Sequence, residues 1–111
     1  MNTNKIVACY CRSASAANDD SSQIDRQRSE SQELAKEHQL SIERFYIDEG
    51  VSGLTLNRPE FERLIQDCKN GEIGTVLISD IARIARDRTL VEVALGIFQH
   101  LGVQVLVCAK S

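Results

Sequence analysis

The chain has 111 residues, with 16 acidic against 13 basic groups and a formal net charge of −3 at pH 7. This length suits one compact domain and is too short for two. With 42% hydrophobic and 26% charged residues, the composition is that of a folded protein and excludes a disordered one. The longest apolar run is far shorter than the roughly 20 residues needed to cross a bilayer. Since the N-terminal residues also lack the apolar core of a signal peptide, we expect a cytoplasmic protein.

The four cysteines follow neither a disulfide nor a zinc pattern. Cys9 and Cys11 are predicted to share one face of a strand, whereas Cys68 and Cys108 stand alone among apolar residues. No C-x-x-C pair occurs, and a zinc site would need two further ligands beside the first two thiols. We therefore expect reduced, mostly buried thiols and no bound metal.

The first half of the chain alternates between strand and helix patterns. Residues 6–11 are apolar almost throughout, which predicts a strand buried on both faces. Ser22 and Asp25 form a weak capping box, which predicts a helix from there to about Gln39. Residues 41–47 are rich in β-favouring side chains and predict a second strand.

The second half repeats the alternation. Pro59 is predicted to open a helix that ends at Asn70-Gly71, and residues 75–79 form a third strand. Residues 103–108 form a fourth strand after a further helix closed by Gly102. Helical spacing predicts that these two helices bury the following side chains: Phe61, Leu64, Ile65 and Cys68 in the first, and Leu90, Val93, Ala94, Ile97, Phe98 and Leu101 in the second.

This alternation predicts an α/β domain with a mostly parallel sheet and helices on its faces. In such open sheets the functional site lies at the carboxyl ends of the strands. That rule points to residues 11–15, 48–58 and 80–88, and each of these three segments carries arginine. Nine of the 13 basic residues are arginine, whose planar fork suits phosphate and carboxylate groups: Arg12, Arg26, Arg28, Arg44, Arg58, Arg63, Arg83, Arg86 and Arg88.

The sequence lacks the motifs that bind the usual ligands of this fold class. There is no G-x-G-x-x-G and no G-x-x-x-x-G-K, so we expect no nucleotide cofactor. A phospho-acceptor domain would need acidic residues after the first strand, where the chain instead has Arg12 and Ser13. Neither Cys9 nor Cys11 has an arginine six residues later, as a cysteine phosphatase loop would require.

The remaining chemistry is that of a site rich in hydroxyl groups and guanidinium groups. Arg83 and Arg86 are three residues apart, so on a helical turn they would project from one face. Converging guanidinium groups could neutralise a phosphodiester while a serine attacks phosphorus. Alternatively, this pair is a solvated helix face paired with Asp80 and Asp87. The candidate groups are Arg12 with Ser13 and Ser15, Ser52 with Arg58, and Arg83 with Arg86.

Four motifs in order along nearly the whole chain resemble a known family. They are Tyr10-Cys11-Arg12 with nearby serines, Ile24-Asp25-x-Gln27, Tyr46 to Gly53 with Arg58-Pro59, and Arg83-Ile84-Ala85-Arg86-Asp87. Together they look like the catalytic domain of serine recombinases, the resolvase/invertase family, and are most similar to the large serine and transposon recombinases. The resemblance implies a three-layer, Rossmann-like fold with a sheet of four or more strands.

The resemblance also implies a mechanism. A serine would attack the scissile DNA phosphate, join the 5′ phosphate and release a 3′ hydroxyl, and two dimers would assemble as a tetramer to exchange strands. Neither a metal nor a cofactor would be needed. By position, Arg12, Arg83 and Arg86 would contact the phosphate, Gln27, Ser52 and Arg58 would support the site, and Asp87 and Thr89 would start a helix.

Two positions depart from the family pattern. Ala14 lies where the nucleophile is usual, and we favour Ser15 on a bulged loop over Ser13 as its replacement. Ala82 lies where the family usually has aspartate, and Asp80 is two residues earlier. These departures are compatible with a divergent active enzyme, with an inactive relative or with engineered alanines.

As a whole, residues 1–111 are expected to be the core of a catalytic domain, truncated before the long dimerisation helix and the DNA-binding domain of such proteins. No helix-turn-helix motif or basic arm is present, so weak, non-specific DNA binding is expected. The leading function is site-specific DNA recombination. The alternative is a catalytically inactive module for DNA-associated assembly or protein interaction, and a small-molecule phosphate-binding domain is a third hypothesis.

Overall fold

The computed structural model describes residues 5–13, 19–50 and 56–108. Strands and helices alternate as the sequence predicts. In chain order they are β1 (Ile6–Arg12), α1 (Asp19–Glu37), β2 (Ile42–Asp48), α2 (Pro59–Lys69), β3 (Ile73–Ile78), a 3₁₀ turn (Ile81–Arg83), α3 (Arg88–His100) and β4 (Gln104–Val107).

The four strands form one parallel sheet in the order β2-β1-β3-β4. This arrangement confirms the predicted α/β fold. The strand β1 lies inside the sheet, and its side chains are fully buried from Ala8 onward. Its last residue, Arg12, pairs with Asp48, the last residue of β2. The carboxyl ends of these strands therefore meet at one edge of the sheet.

Helices cover both faces of the sheet. Neighbouring residues of β1 point to opposite faces, so each set packs against a different helix layer. On one face, Tyr10 packs with Phe61 of α2, which packs in turn with Phe98 of α3; the ring centroids are 5.4 and 6.0 Å apart in T-shaped pairs. On the other face, Cys9 and Cys11 pack with Ile24 of α1. The domain thus has three layers, with the larger core under α2 and α3.

The helix α1 differs from its prediction at both ends. It begins at Asp19 and ends at Glu37, so Ser22 lies within the helix and the predicted capping box is wrong. Among the described side chains of α1, the first that is buried is Ile24. Its burial does not determine how many residues before it are helical.

The other two helices begin as predicted but bury somewhat different faces. In α2, Ile65 is only partly buried. In α3, the Asp87 carboxylate accepts a hydrogen bond of 2.9 Å from the backbone of Thr89, which confirms the predicted helix start. The side chain of Val93 is 48% exposed, so its predicted burial is wrong, whereas Ala94 and Phe98 are buried as predicted.

The cysteines agree with the prediction of free thiols. Cys9, Cys11 and Cys68 are buried and Cys108 is partly buried. The sulfur atoms of Cys9 and Cys11 are 3.8 Å apart on one face of β1, within range of a weak hydrogen bond. In the part of the chain that the structure describes, no helix is long and apolar enough to span a membrane.

Candidate active site

Three predicted arginines come together where β1 and β3 end. Arg12 is the last residue of β1, Arg58 precedes α2 and Arg83 ends the 3₁₀ turn that follows β3. Arg12 and Arg58 are only 2% and 1% exposed. Since arginine is rarely buried without specific partners, both guanidinium groups are expected to have defined hydrogen-bond partners.

Both buried guanidinium groups hold the backbone of residues 82–84. Arg12 donates through Nε to the Arg83 carbonyl at 3.1 Å and through Nη2 to the Ala82 carbonyl at 3.1 Å. Arg58 donates through Nη1 to the Arg83 carbonyl at 3.3 Å and through Nη2 to the Ile84 carbonyl. These hydrogen bonds position the segment that carries the Arg83 side chain.

The buried side chain of Gln27 holds Arg12 itself. Its Oε1 accepts from the Arg12 backbone N–H at 3.0 Å, and its Nε2 donates to the Arg12 carbonyl at 2.9 Å. The amide thus pairs with both backbone groups of Arg12, as a neighbouring strand would. Through this pair, α1 fixes the end of β1 from which the predicted nucleophile segment departs.

Replacing Gln27 with alanine is expected to lower the free energy of unfolding by about 2 kcal/mol, because the buried Arg12 N–H and carbonyl lose the hydrogen bonds of 3.0 and 2.9 Å that Gln27 makes with them. Urea unfolding monitored by circular dichroism measures this change. Gln23→Ala is the control, since Gln23 is an exposed residue of the same helix and its loss is expected to cost less than about 0.5 kcal/mol. Equal stability of the two variants would contradict the role assigned to Gln27.

Tyr10 and Asp48 complete the site, although the sequence indicated no role for either of them there. The Tyr10 hydroxyl donates to Asp48 Oδ2 at 2.9 Å and accepts from Arg58 Nη1 at 3.0 Å. Burial raises the pKa of Tyr10 well above its usual range, even though the nearby Arg58 lowers it. The hydroxyl therefore stays protonated and links β1 to Arg58.

The Asp48 carboxylate also starts the second helix. It is buried, and it accepts hydrogen bonds of 3.0 Å from the backbone N–H groups of Glu60 and Phe61 in the first turn of α2. A carboxylate at this end is favoured by the helix dipole. The sequence signal for this role is an acidic residue that ends a strand shortly before a proline-initiated helix, but only the fold shows which groups it contacts.

Arg83 and Arg86 have different surroundings. The turn that contains Arg83 ends there, and helix α3 does not begin until Arg88, so the prediction that both project from one helical turn is wrong. Arg83 is partly exposed and lines a polar cavity of about 310 Å³ with Arg26 and Gln27. Arg86 is exposed at the edge of a neighbouring groove.

Among the residues that the structure describes, the Arg83 side chain makes few hydrogen bonds. Its Nη1 donates to the Arg12 carbonyl at a long 3.4 Å. Its Nε is buried and has no hydrogen-bond partner among the residues that the structure describes. The guanidinium group of Arg83 therefore retains donor capacity.

The electrostatics of the cluster favour an anion. Burial lowers the pKa of Arg12, and the positive charges of Arg58, Arg83 and Arg86 lower it further, while Tyr10 opposes them. Neighbouring guanidinium groups repel one another because they carry the same charge, so a negative group placed among them would stabilise them. A phosphodiester at this edge of the sheet would provide that charge.

Of the three candidate serines, only Ser13 lies within the described residues. Ser13 is fully buried, and its backbone N–H donates to the Asp48 carbonyl at 3.0 Å. Ser15, Ala14 and Ser52 lie outside the described residues. The Asp80 carboxylate accepts a hydrogen bond of 3.0 Å from the Ala82 backbone and so caps the 3₁₀ turn.

Comparisons with known proteins identify the family. The family described as "Resolvase, N terminal domain" matches residues 7–111. Among solved structures, the N-terminal catalytic domain of TP901-1 integrase is 27% identical with a TM-score of 0.82, over 94% of this chain and 78% of that one. A resolvase family site-specific recombinase from Streptococcus pneumoniae is 26% identical with a TM-score of 0.78, over 94% and 72%.

A third structure supports the fold alone. The C-terminal catalytic domain of ISC1926 TnpA, an IS607-like serine recombinase, is 21% identical with a TM-score of 0.80, over 95% of this chain and 68% of that one. The comparison with curated protein sequences found no match. The match over residues 7–111 shows that the chain belongs to the resolvase N-terminal domain family, the catalytic domain of serine recombinases.

Proposed function

We propose that this domain cuts and rejoins DNA strands in site-specific recombination, through a covalent bond between a serine and the 5′ phosphate. The observation that carries the proposal is the arginine cluster at the end of β1, where Arg12 and Arg58 hold the backbone of residues 82–84 and so position Arg83 beside them. The predicted nucleophile segment follows Arg12 directly in the chain. The segment that carries Ser13 and Ser15 therefore starts at the positive cluster.

The reaction is a phosphoryl transfer. The serine Oγ forms a bond to phosphorus and gives up its proton, while the bond from phosphorus to the 3′ oxygen breaks and that oxygen takes up a proton. Negative charge grows on the non-bridging oxygens, where guanidinium donors stabilise the transition state. Rejoining is the reverse attack by a 3′ hydroxyl, so the energy of the phosphodiester is conserved in the intermediate.

The residues divide into two groups in this proposal. Arg83 and Arg86 contact the phosphate, because their side chains reach the surface. Arg12, Arg58 and Gln27 act mainly as positioning residues, because their polar groups hold the protein backbone. We also retain Ser52 as a supporting residue, on the resemblance alone.

We propose Ser15 as the nucleophile. Ser13 is fully buried at the end of β1 with its backbone bonded to Asp48, and a buried hydroxyl is badly placed to reach a DNA phosphate. Ser15 is two residues further along the chain. Alanine at positions 14 and 82 favours the alternative, an inactive module for DNA-associated assembly. The trapping assay described below separates the active enzyme from the inactive module.

We further propose that the domain works on DNA together with other copies of itself, as a dimer that assembles into a tetramer. Sequence-specific binding would come from a DNA-binding segment of a longer protein, with residues 1–111 as the catalytic core. The net charge of −3 supports this division, because non-specific affinity for DNA depends on positive charge.

The test is a trapping assay with duplex DNA that carries a 3′-bridging phosphorothiolate within a pool of random central sequences. Attack by serine releases a 3′ thiol, which reverses poorly, so the covalent protein–DNA product accumulates. Ser15→Ala is expected to abolish this product, whereas Ser13→Ala retains it. Circular dichroism checks that both variants are folded.

The outcomes decide between the two functions. Trapped product that persists in Ser15→Ala and disappears in Ser13→Ala would overturn the choice of nucleophile. If the unaltered chain traps no DNA under conditions in which it binds DNA as a dimer or tetramer, the inactive module is the correct function.

A further inference from the structure

The 3₁₀ turn after β3 exposes an apolar side chain close to the arginine cluster. Ile81, the first residue of this turn, is 40% exposed. Among the residues that the structure describes, Val93 of α3 is the only other large apolar side chain with such exposure. Because single exposed apolar residues are common on protein surfaces, the surroundings of Ile81 decide what it can bind.

Ile81 lines a mostly apolar groove of about 560 Å³ between the turn and α3. On the turn side, the groove is also lined by Ala82 and Ala85, which are small, and by Arg86, which is exposed. Ile81 is therefore the largest apolar group that this side of the groove offers to an incoming molecule. It is also a neighbour of one of the two arginines proposed to contact the phosphate.

The backbone that carries Ile81 is fixed by hydrogen bonds. Arg12 and Arg58 donate to the carbonyl groups of residues 82–84, and the Ile81 carbonyl accepts from the Ile84 N–H at 3.0 Å. Isoleucine is also β-branched, which restricts its rotamers. A side chain that is ordered before binding loses little further freedom when it contacts a ligand.

The charges near Ile81 select DNA as the molecule in the groove. Arg86 lines the same groove, and Arg83 ends the same turn. A DNA strand offers phosphate groups to the guanidinium groups, and its sugars and bases offer apolar surface to Ile81. An apolar peptide would leave the arginines without an anion, and a free anion would leave Ile81 exposed.

We propose that Ile81 is a further residue that contacts the substrate, by inserting between the two bases beside the phosphate that Arg83 and Arg86 contact. The identity of that phosphate rests on the proposed function. Isoleucine is among the apolar side chains that proteins insert at a base step, and insertion partly unstacks the bases. Contacts of the arginines with the phosphate offset the cost of unstacking and hold the strand against the turn.

Fluorescence of duplex DNA that contains several 2-aminopurine bases tests the contact without strand cleavage, since this base becomes brighter when it is unstacked. At low salt, where phosphate contacts are strongest, the full 111-residue chain is expected to raise the fluorescence. Ile81→Ala is expected to lose at least about half of this rise, because alanine is too short to insert. Fluorescence anisotropy ensures that the chains are compared at equal occupancy of the DNA.

Val93→Ala is the matched control, because it shortens an apolar side chain of similar exposure, 48% against 40% for Ile81. It is expected to keep the full rise in fluorescence. Both variants are expected to melt within about 5 °C of the unaltered chain, which circular dichroism measures. Ile81→Leu is a second, conservative variant and is expected to keep most of the rise, since leucine also inserts at base steps.

A cleavage assay gives an independent readout of unstacking. On phosphorothiolate DNA with paired bases beside the modified phosphate, Ile81→Ala is expected to slow trapping at least about tenfold, as loss of an apolar contact can do. When those bases are mismatched, the slowing is expected to be less than about threefold, because a mismatched base unstacks at lower cost. Equal slowing on the two substrates would overturn the proposal.

In the fluorescence assay, three results would overturn it: no rise when the unaltered chain is bound to DNA, an equal rise with Ile81→Ala, or an equal loss with Ile81→Ala and Val93→Ala. The assay needs no cleavage. A rise that depends on Ile81 in a chain that traps no DNA would therefore retain this contact and refute the proposed strand cleavage. Trapping without the rise would refute the contact alone.

Discussion

Arg83→Ala is expected to slow DNA strand cleavage by about 100- to 1000-fold, which is the usual effect of removing one donor that stabilises a transition-state oxygen. The same change is expected to alter the free energy of unfolding by less than about 1 kcal/mol. The reason is that Arg12 and Arg58 contact the backbone carbonyl of Arg83, which the substitution keeps. The lost side chain makes only a hydrogen bond of 3.4 Å and has a buried Nε with no partner among the described residues.

Single-turnover trapping on phosphorothiolate DNA measures the rate, and urea unfolding measures the stability. Arg88→Ala is the matched control, because Arg88 is a nearby arginine whose side chain is 91% exposed. Its cleavage rate is expected to stay within about threefold of the unaltered chain. If Arg83→Ala and Arg88→Ala cleave at the same rate, Arg83 does not contact the reacting phosphate.

Arg58→Ala is expected to lower the free energy of unfolding by about 3 kcal/mol, because it removes a buried donor network and leaves a cavity. The Ile84 carbonyl and the Tyr10 hydroxyl lose a donor, and contact with the Phe61 ring, 5.6 Å from the guanidinium carbon, is also lost. Relief of the repulsion between Arg58 and Arg12 offsets part of this loss. Cleavage is expected to fall as well, since residues 82–84 lose a support.

The control is Arg63→Ala in α2, the helix that Arg58 precedes. Arg63 also lies over an aromatic ring, that of Tyr46 at 4.9 Å, and pairs with Glu60 at 2.9 Å, but its side chain is 55% exposed. Its removal is expected to cost less than about 1 kcal/mol. Equal midpoints of urea unfolding for the two variants would contradict the structural role of Arg58.

The order of strands and helices was predictable because local signals agree with the packing. Residues 6–11 have the apolar run of a central strand, and Pro59 with Phe61 and Leu64 gives the pattern of an amphipathic helix. Glycines mark two of the helix ends, where Gly71 and Gly102 have φ of +80° and +75°, values that glycine adopts without strain. The parallel sheet then follows from the alternation.

The face of α3 that packs against the sheet was not predictable from the local sequence pattern. This helix is apolar on more than one side, since Val91, Val93, Leu95 and Ile97 are spaced around it. Two faces therefore fit the helical period nearly equally well. Packing against the sheet selects the face with Ala94 and Phe98 and leaves Val93 exposed.

The location of the site was predictable, but its internal contacts were not. Arg12, Arg58 and Arg83 lie in segments at or after the ends of strands. The rule for open α/β sheets therefore predicts that they meet at one edge of the sheet. Sequence reasoning treats arginine as a surface residue or a ligand for phosphate, whereas Arg12 and Arg58 are buried and hold carbonyl groups. The hydrogen bond between Tyr10 and Asp48 joins residues 38 positions apart in the chain, and no local sequence pattern predicts such a pair.

The most direct test of the central claim is to locate the covalent bond. The chain trapped on phosphorothiolate DNA is digested with nuclease and trypsin, and the peptide of residues 13–26, which contains all serines near Arg12, is sequenced by tandem mass spectrometry. We predict a 5′-phosphorylated nucleotide attached to Ser15. A nucleotide on Ser13, or a chain that binds DNA and carries no nucleotide on any serine, would contradict the account.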